Sequence, residues 1–206
     1  MNNVHKVMYI NLDRRKDRRA EMEAELVKMG IEAERFPGVV PEPGLVKRPG
    51  ILGCGHSHLS ILKRACDEGW PNVLIFEDDF QCIVDPKVLH ETIADFFNEF
   101  HNDWDVFMLS YALEYSRPYN DKFGYVTAAT TASGYLVNER FYPELIDVLE
   151  KAMVKLQETE YHWYYSNDQC WKVLQPTAKW IYSMTRLGIQ RPSYSDNSYE
   201  FMDRGL

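Results

Sequence analysis

One stretch of the sequence constrains the fold more than any other: residues 73–79, VLIFEDD, in which four apolar residues run directly into three acidic ones. A short run of apolar residues is typical of a buried β-strand. The acidic side chains at its end cannot belong to the core, because unpaired buried charge is too costly. Since α/β sheets bind ligands at the carboxyl ends of their strands, the segment predicts a central strand that presents Glu77, Asp78 and Asp79 to a ligand.

The chemistry of these three carboxylates indicates a divalent cation. Oxygen ligands favour Mg²⁺ or Mn²⁺, and these ions usually complete their coordination with the phosphate oxygens of a substrate. Because side chains alternate along an extended chain, we expect Glu77 and Asp79 on one side and Asp78 on the other. The prediction is a metal-assisted reaction on a nucleotide-linked substrate, and the alternative is an ordinary acidic turn after a strand.

The composition limits the class of protein. The 206 residues suffice for one substantial core, and the hydrophobic content of 45% is ordinary for a globular protein. The net charge of −8 argues against a nucleic-acid partner. No apolar run approaches the roughly 20 residues of a membrane span, and the N-terminal apolar segment is too short for a signal peptide. The four cysteines show no disulfide-framework spacing, which predicts a reduced, cytoplasmic setting.

Predicted strands and helices alternate along the chain. Asp13 and Asp85 are predicted N-caps, and residues 37–53, rich in Pro and Gly, are a predicted loop. The alternation predicts an α/β fold with a mainly parallel central sheet flanked by helices, in a single domain over residues 1–206. The predicted strands are residues 6–12, 31–36, 73–76, 105–109, 125–131, 133–137 and 178–182, and the predicted helices are residues 14–29, 56–67, 143–156 and one that begins at Pro86.

Two further segments combine a helix start with groups suited to anions. Residues 14–19 hold five cations in six positions directly after the first strand. A helix N-terminus with arginines is suited to a diphosphate, and the alternative is a solvated helix face. The glycine-rich residues 50–58 place Ser57 and His58 near the start of a helix, where the backbone can approach a ligand. The alternatives are a zinc site from Cys54, His56 and His58, and a packed core histidine at position 58.

A third segment joins an acidic residue to aromatic rings. Asp168 follows the aromatic residues 161–165, YHWYY. Because aromatic rings stack on sugar faces, this pattern predicts a general base in an acceptor pocket. The alternative is a helix N-cap at Ser166, Asn167 or Asp168, with the aromatic residues in the core.

Five motifs occur in an order that resembles one family. They are YINLDRRKDRR from Tyr9, GILGCGHSHLSIL from Gly50, VLIFEDDF from Val73, NDQCW from Asn167 and GIQRPSYSD from Gly188. Together they resemble glycosyltransferase family 25, which includes lipooligosaccharide and collagen galactosyltransferases, over nearly the whole chain. The chain also looks like the N-terminal glycosyltransferase domain of chlorella-virus proteins linked to capsid glycosylation. That likeness implies a domain excised from a longer polypeptide, acting in the host cytoplasm.

The resemblance implies a GT-A, Rossmann-like fold, a nucleotide-sugar donor and Mn²⁺ or Mg²⁺. Carried over by position, Glu77, Asp78 and Asp79 take the place of the DXD motif. Asp79 and then Glu77 are the expected metal ligands, with Asp78 on the donor ribose or sugar hydroxyls. Asp168 matches the family's late acidic position, here with two residues before the Trp, and Gln190 matches a late Gln. The other donor-binding residues implied are Ile10, Asn11, Leu12, Asp13, Arg14, Arg15, Arg19, Ser57 and His58.

The predicted function is metal-dependent transfer of a hexose or deoxyhexose from a UDP-sugar to a glycan hydroxyl, with inversion. Asp79 with its metal and Asp168 as base are the expected catalytic residues. The acceptor implied is a glycan or glycoprotein, a viral capsid glycan among them. Two alternatives remain. One is a non-catalytic nucleotide-sugar binding module, and the other is a metal-dependent nucleotide-sugar hydrolase or phosphoryl transferase, although the chain has no GxxxxGK[ST] loop.

Overall fold

The computed structural model describes residue 1, residues 3–195 and residues 200–202. Asp196, the last residue of the family-like motifs, lies outside these described residues. No helix in the described part of the chain is long and apolar enough to cross a membrane. The helices are α1 (Lys16–Met29), α2 (Pro49–Asp67), α3 (Pro86–Phe100), α4 (Tyr142–Thr159), α5 (His162–Tyr165) and α6 (Asn167–Cys170). The strands are β1 (Lys6–Asn11), β2 (Glu34–Pro37), β3 (Asn72–Glu77), β4 (Phe80–Cys82), β5 (Val106–Met108), β6 (Ala112–Pro118), β7 (Phe123–Thr130), β8 (Gly134–Asn138), β9 (Trp180–Ser183), β10 (Gly188–Gln190), β11 (Ser193–Ser195) and β12 (Glu200–Met202).

Eight strands form the central sheet, in the order β2-β1-β3-β8-β5-β9-β7-β6. Strand β1 pairs in parallel with both β2 and β3, and β5 pairs in parallel with β9. Strand β8 runs antiparallel between β3 and β5, and β7 runs antiparallel to both β9 and β6. Within this sheet only β7 and β8 therefore oppose the direction of the other strands. The predicted mainly parallel sheet is confirmed.

Helices cover both faces of the sheet because its central strands are apolar on both sides. In β3, Val73 and Ile75 pack into a cluster with residues of α2 and α4. Leu74 and Phe76 pack into a second cluster with residues of α1 and α3. Successive side chains of a strand point to opposite faces, so the continuous apolar run predicted the two-sided burial that the structure has.

Two helices begin two or more residues away from their predicted starts. Helix α1 begins at Lys16, with Arg15 as its N-cap, and the predicted N-cap Asp13 instead pairs with Arg35 at 2.5 Å. Helix α2 begins at Pro49, so the last part of the predicted loop is helical. Proline is favoured in the first helical turn, where no N–H is needed. The prediction at Asp85 is confirmed, because its side chain accepts from the Lys87 backbone N–H at 2.8 Å.

The pairing of β1 with β3 decides where the polar strand ends lie. The two strands are parallel neighbours, with Ile10 opposite Glu77. Their carboxyl ends therefore open on the same edge of the sheet, as the sequence predicted. The short antiparallel pair β4–β10 then brings Gln190 opposite Phe80, directly after the acidic residues.

Candidate functional site

A cleft opens at the carboxyl ends of β1 and β3, and we call it the β1–β3 cleft. Most of the residues predicted to bind a donor lie on its wall, but Asp13, Arg15, Arg19 and His58 do not line it. Other residues that sequence reasoning did not assign to it also line the cleft, and those with polar side chains are Arg18, Cys54, Gln190 and Arg191. The predicted residues on the wall are Ile10, Asn11, Leu12, Arg14, Ser57, Glu77, Asp78 and Asp79.

Asp78 and Asp79 are buried at the floor of this cleft and share one cation. The Arg18 guanidinium of α1 lies 3.0 Å from Asp78 Oδ1 and also pairs with Asp79 Oδ2. Asn11 Nδ2 donates to Asp78 Oδ2 at 2.6 Å, and Gln190 Nε2 donates to Asp79 Oδ2 at 3.0 Å. The acidic pair is therefore held from α1, β1 and β10 together.

Burial shifts the ionisation of both aspartates. It raises the pKa of Asp78 to about 6, although Arg18 acts in the opposite direction. Burial also raises the pKa of Asp79, again opposed by Arg18. Asp79 Oδ1 is buried and has no hydrogen-bond partner. A buried polar atom without a partner is rare and costly, so this oxygen is available to a ligand.

Glu77 is held by residues of α2, and not by those that hold the two aspartates. Its Oε1 lies 3.0 Å from His58 Nε2 and accepts from Cys54 Sγ at 3.3 Å. Burial is the largest influence and opposes ionisation here, but the hydrogen bonds with His58 and Cys54 and the charge of Arg18 together outweigh it and lower the pKa of Glu77. Glu77 and Asp79 therefore have different partners, although both line the β1–β3 cleft. Strand β3 ends at Glu77, and the strict alternation of an extended chain does not continue into the turn at Asp78 and Asp79, so the expectation that Glu77 and Asp79 share a side stays a prediction.

Ser57 and His58 lie inside α2, well past its start at Pro49. The expectation that they sit near the positive end of a helix is therefore wrong. His58 is fully buried, and its Nδ1 lies 2.8 Å from the Tyr135 hydroxyl. Ser57 Oγ donates to the Gly53 carbonyl at 2.7 Å and accepts from the Val39 backbone N–H at 2.8 Å. Ser57 thus fastens a loop that lines the cleft.

The cations after β1 divide between the cleft and the surface. Arg14 and Arg18 line the cleft, whereas Arg19 is half exposed and pairs with Glu23 at 2.8 Å. Arg15 pairs with Asp17 at 2.8 Å. Helix α1 begins only at Lys16, so helical spacing does not link Arg14 to Arg18, and the sequence signal for Arg18 was its place among the five cations directly after β1.

The family resemblance implies a divalent cation, and the acidic residues fit one at Asp79. Two buried carboxylates with one unpartnered oxygen make the hard oxygen donor set that Mg²⁺ and Mn²⁺ prefer. The zinc trio of Cys54, His56 and His58, given as an alternative, does not form. Instead, Cys54 and His58 approach Glu77, with one potential ligand atom from each lying within 4.8 Å of the others, and His56 is not part of this group.

Asp168 lies at the start of α6, beside the cleft wall. Its Oδ2 accepts from the Thr131 backbone N–H at 3.2 Å, and its Oδ1 accepts from the Ser166 hydroxyl at 3.1 Å. The preceding residue, Asn167, is buried, and its Oδ1 lies 3.8 Å from the Sγ of Cys54, a cleft-lining residue. The short helix α6 thus brings an acidic residue close to the cleft.

The fold is shared with transferases and a pyrophosphorylase of known structure. No protein-family model matches the sequence, and no curated protein is significantly similar to it. Mannose-1-phosphate geranyltransferase from Thermus thermophilus has a TM-score of 0.50 at 11% identity, covering 91% of this chain and 74% of its own. A glycosyltransferase involved in the glycosylation of the major capsid of PBCV-1 has a TM-score of 0.50 at 10% identity, over 86% of this chain and 80% of its own.

UDP-glucose pyrophosphorylase complexed with UDP-glucose is equally similar, with a TM-score of 0.51 at 11% identity, over 86% of this chain and 72% of that one. At these identities the similarity establishes the fold alone. The α/β fold class predicted from the sequence is confirmed, and membership of glycosyltransferase family 25 stays a prediction.

Proposed function

We propose that this protein is a metal-dependent glycosyltransferase that moves a hexose or deoxyhexose from a UDP-sugar to a glycan hydroxyl. The observation that carries the proposal is the buried pair Asp78 and Asp79, with an unpartnered carboxylate oxygen, at the strand ends of a fold shared with sugar-nucleotide enzymes. In such sheets this edge is where nucleotides bind.

The chain's own residues suit a nucleoside diphosphate. Arg14 and Arg191 lie on the cleft wall, where their guanidinium groups would bind phosphate oxygens. Ile10 and Leu12 supply an apolar wall next to them, suited to the face of a base. Asn11 and Arg18 orient Asp78 for the ribose or sugar hydroxyls.

Asp79 would hold the metal through its unpartnered oxygen, with Gln190 fixing the other oxygen. Bound there, Mn²⁺ or Mg²⁺ would neutralise the charge that develops on the departing UDP. Glu77 is the weaker ligand candidate, because His58 and Cys54 already occupy its Oε1.

Asp168 is the proposed general base. The Thr131 N–H and the Ser166 hydroxyl fix the orientation of its carboxylate at the start of α6. In that role it would take the proton of the acceptor hydroxyl, whose oxygen attacks the anomeric carbon opposite the departing UDP, with inversion. The capsid glycosyltransferase among the structural neighbours supports a glycan or glycoprotein acceptor.

Nucleotidyl transfer is the second candidate, favoured by the similarity to UDP-glucose pyrophosphorylase. It would join UTP to a sugar 1-phosphate and release pyrophosphate, whereas glycosyl transfer releases UDP. Incubation with each substrate pair in the presence of Mn²⁺, followed by detection of pyrophosphate or UDP, distinguishes the two reactions. Binding of a UDP-sugar without either product would identify a non-catalytic binding module.

The first prediction concerns Asp79. Asp79→Asn should lose the Mn²⁺-dependent part of UDP binding, because the amide cannot supply the anionic oxygen ligand. Calorimetric titration of UDP with and without Mn²⁺ measures this. The control is Asp67→Asn on the exposed end of α2, which should bind UDP as the wild type does. Unchanged Mn²⁺ dependence in Asp79→Asn would contradict the metal role.

The second prediction concerns Asp168. Asp168→Asn should lower the rate of sugar transfer by about 10²–10⁴-fold, the usual contribution of a general base. The affinity for the UDP-sugar should not change, because Asp168 lies beside the cleft wall rather than on it. Steady-state kinetics and donor titration on the same variant separate the two effects. Equal turnover in Asp168→Asn and wild type would rule out this residue as the base.

A further inference from the structure

A second cleft lies beside the β1–β3 cleft, and we call it the aromatic cleft. It is lined by residues 46–48, by Ile51 of α2, by the end of α4 and by residues 161–163. Three large aromatic side chains of this region remain in contact with solvent. Tyr161 is 50% exposed, Trp163 53% and Tyr164 64%. Neighbouring exposed aromatic residues of this size indicate a binding surface rather than a core.

The exposed rings form an array. The centroids of Tyr161 and Trp163 lie 5.2 Å apart with an interplanar angle of 25°, a stacked arrangement. The ring centroid of Tyr164 lies 6.3 Å from that of Trp163. Aromatic rings with a polar end are suited to partners that present both apolar and polar groups. A pyranose ring is such a partner, since its C–H face is apolar and its hydroxyls project from the edge.

Polar groups stand at the rim of the same cleft. Arg48 Nη1 lies 3.4 Å from His162 Nε2. The Lys47 backbone N–H donates to Glu160 Oε1 at 3.1 Å, and Lys47 Nζ lies 3.2 Å from Glu160 Oε2. Hydrogen-bond donors and acceptors are therefore placed next to the aromatic rings, which is the combination that gives a small-molecule site its specificity.

Neighbouring residues at the start of α2 line the aromatic cleft and the β1–β3 cleft. Pro49 and Gly50 line the β1–β3 cleft, while their neighbours Arg48 and Ile51 line the aromatic cleft. On the opposite side, α5 carries Trp163 and leads through Ser166 into α6, which carries Asp168. Asp168 is thus connected to both clefts through short segments of the chain.

We propose that the aromatic cleft binds the acceptor as a glycan of two or more sugar rings, with one ring against Trp163 and Tyr161 and the reacting sugar towards Asp168. The proposal rests on the proposed function and adds the acceptor site to it. The glycan has more than one ring because Trp163 lines the aromatic cleft, whereas Asp168 follows Asn167 beside the wall of the β1–β3 cleft, so one ring would stack on the aromatic array while the next carries the reacting hydroxyl.

The test measures acceptor and donor binding separately. Saturation-transfer NMR with lactose, maltose, cellobiose and chitobiose, in the presence of UDP and Mn²⁺, reports sugar binding. Titration with UDP and Mn²⁺ reports the donor site. The wild type should bind at least one of these disaccharides, and Trp163→Ala should weaken that binding about tenfold, as expected for loss of a stacked ring. UDP affinity should stay within about twofold in Trp163→Ala, because Trp163 does not line the β1–β3 cleft. A twofold change in affinity corresponds to less than about 0.5 kcal/mol.

Two further variants keep the result interpretable. Tyr161→Ala should also weaken disaccharide binding, whereas Tyr115→Ala, which removes a more exposed ring on β6, should not. The proposal is overturned if the two cleft variants bind as the wild type does, or if the wild type binds UDP but none of the disaccharides. It is also overturned if the wild type is a dimer that Trp163→Ala converts to a monomer, because a second copy of the chain then covers the rings. If the wild type binds no UDP, the proposed function fails. The disaccharide measurement still shows whether the aromatic cleft binds a glycan.

Discussion

At the scale of single residues, Arg18 decides the charge of the site. Its guanidinium is mostly buried between Asp78 and Asp79. Burial acts to lower the pKa of Arg18, but the two carboxylates outweigh burial and raise it. Arg18 therefore stays cationic and compensates part of the negative charge of the acidic residues. A divalent cation at Asp79 would meet Arg18 as a competitor for the same carboxylate.

The third prediction follows from that competition. Arg18→Gln should lower the free energy of unfolding by about 3–5 kcal/mol, because two buried carboxylates lose their cation. Mn²⁺ should restore part of this loss by taking over the charge. Urea denaturation of wild type and variant, each with and without Mn²⁺, gives the comparison.

The matched control for Arg18→Gln is Arg19→Gln. Arg19 is exposed and paired with Glu23 on the same helix, so its removal should cost at most about 1 kcal/mol. Mn²⁺ should stabilise Arg19→Gln no more than it stabilises the wild type. Equal stabilisation of Arg18→Gln and wild type by Mn²⁺ would show that the cation does not bind where Arg18 does.

At the scale of elements, α2 shapes the wall of the β1–β3 cleft through its glycines. A Cβ at Gly53 would lie 2.3 Å from the Val39 carbonyl oxygen. The backbone of the loop can therefore approach α2 only at a glycine. Ser57, one turn further along, fixes the same loop by its hydrogen bond to the Val39 N–H. Helix and loop together place Val39 and Pro41 on the cleft wall.

The fourth prediction concerns this contact. Gly53→Ala should lower the free energy of unfolding by about 1–3 kcal/mol through overpacking, although alanine favours the helix by about 1 kcal/mol. It should also weaken UDP binding, because the loop must move away from α2. Urea denaturation and UDP titration measure the two effects on one variant.

Gly55→Ala is the control on the same helix. Its Cβ would meet Met153 Sδ at 2.2 Å, the far end of a flexible side chain. Met153 can rotate away, so the loss of stability should be smaller and UDP affinity should be unchanged. A similar loss of UDP affinity in both variants would argue against a specific role for the contact between Gly53 and Val39.

At the scale of the whole molecule, the central sheet joins two apolar clusters that share its strands. Residues of β3, β5 and β8 alternate between the cluster under α2 and α4 and the cluster under α1 and α3. Because the two clusters share these strands, unfolding of the strands would expose the apolar side chains of both clusters to water. This arrangement predicts that the two faces unfold together.

The fifth prediction tests this cooperativity. Trp104 belongs to one cluster, whereas Trp171 and Trp180 belong to the other. In Trp104→Phe the fluorescence of buried tryptophans therefore reports on one face, while far-ultraviolet circular dichroism reports on all elements. The urea midpoints from the two signals should coincide. Separate midpoints would show that the faces unfold independently.

The parts of the fold that local sequence rules describe were predicted well. The apolar run before Glu77 predicted the buried strand β3, and Asp85 with Pro86 predicted the start of α3. The start of α2 was not predicted, because its glycines argue against a helix, and their tight contacts with Val39 and Met153 are visible only after folding. Edge strand β6 was missed, since it is mostly exposed and lacks an apolar pattern.

The sequence by itself determined the alternation of strands and helices and the position of three carboxylates at a strand end, because periodicity, caps and turn residues act over a few neighbouring positions. Only the tertiary structure decided the partners of those carboxylates. Arg18 is 61 residues from Asp79, and Gln190 is 111 residues from it. Such contacts depend on strand order and on how each helix packs, which no local pattern specifies. The structure therefore divided the acidic residues between α1 and α2, with Glu77 held by His58 and the two aspartates held by Arg18.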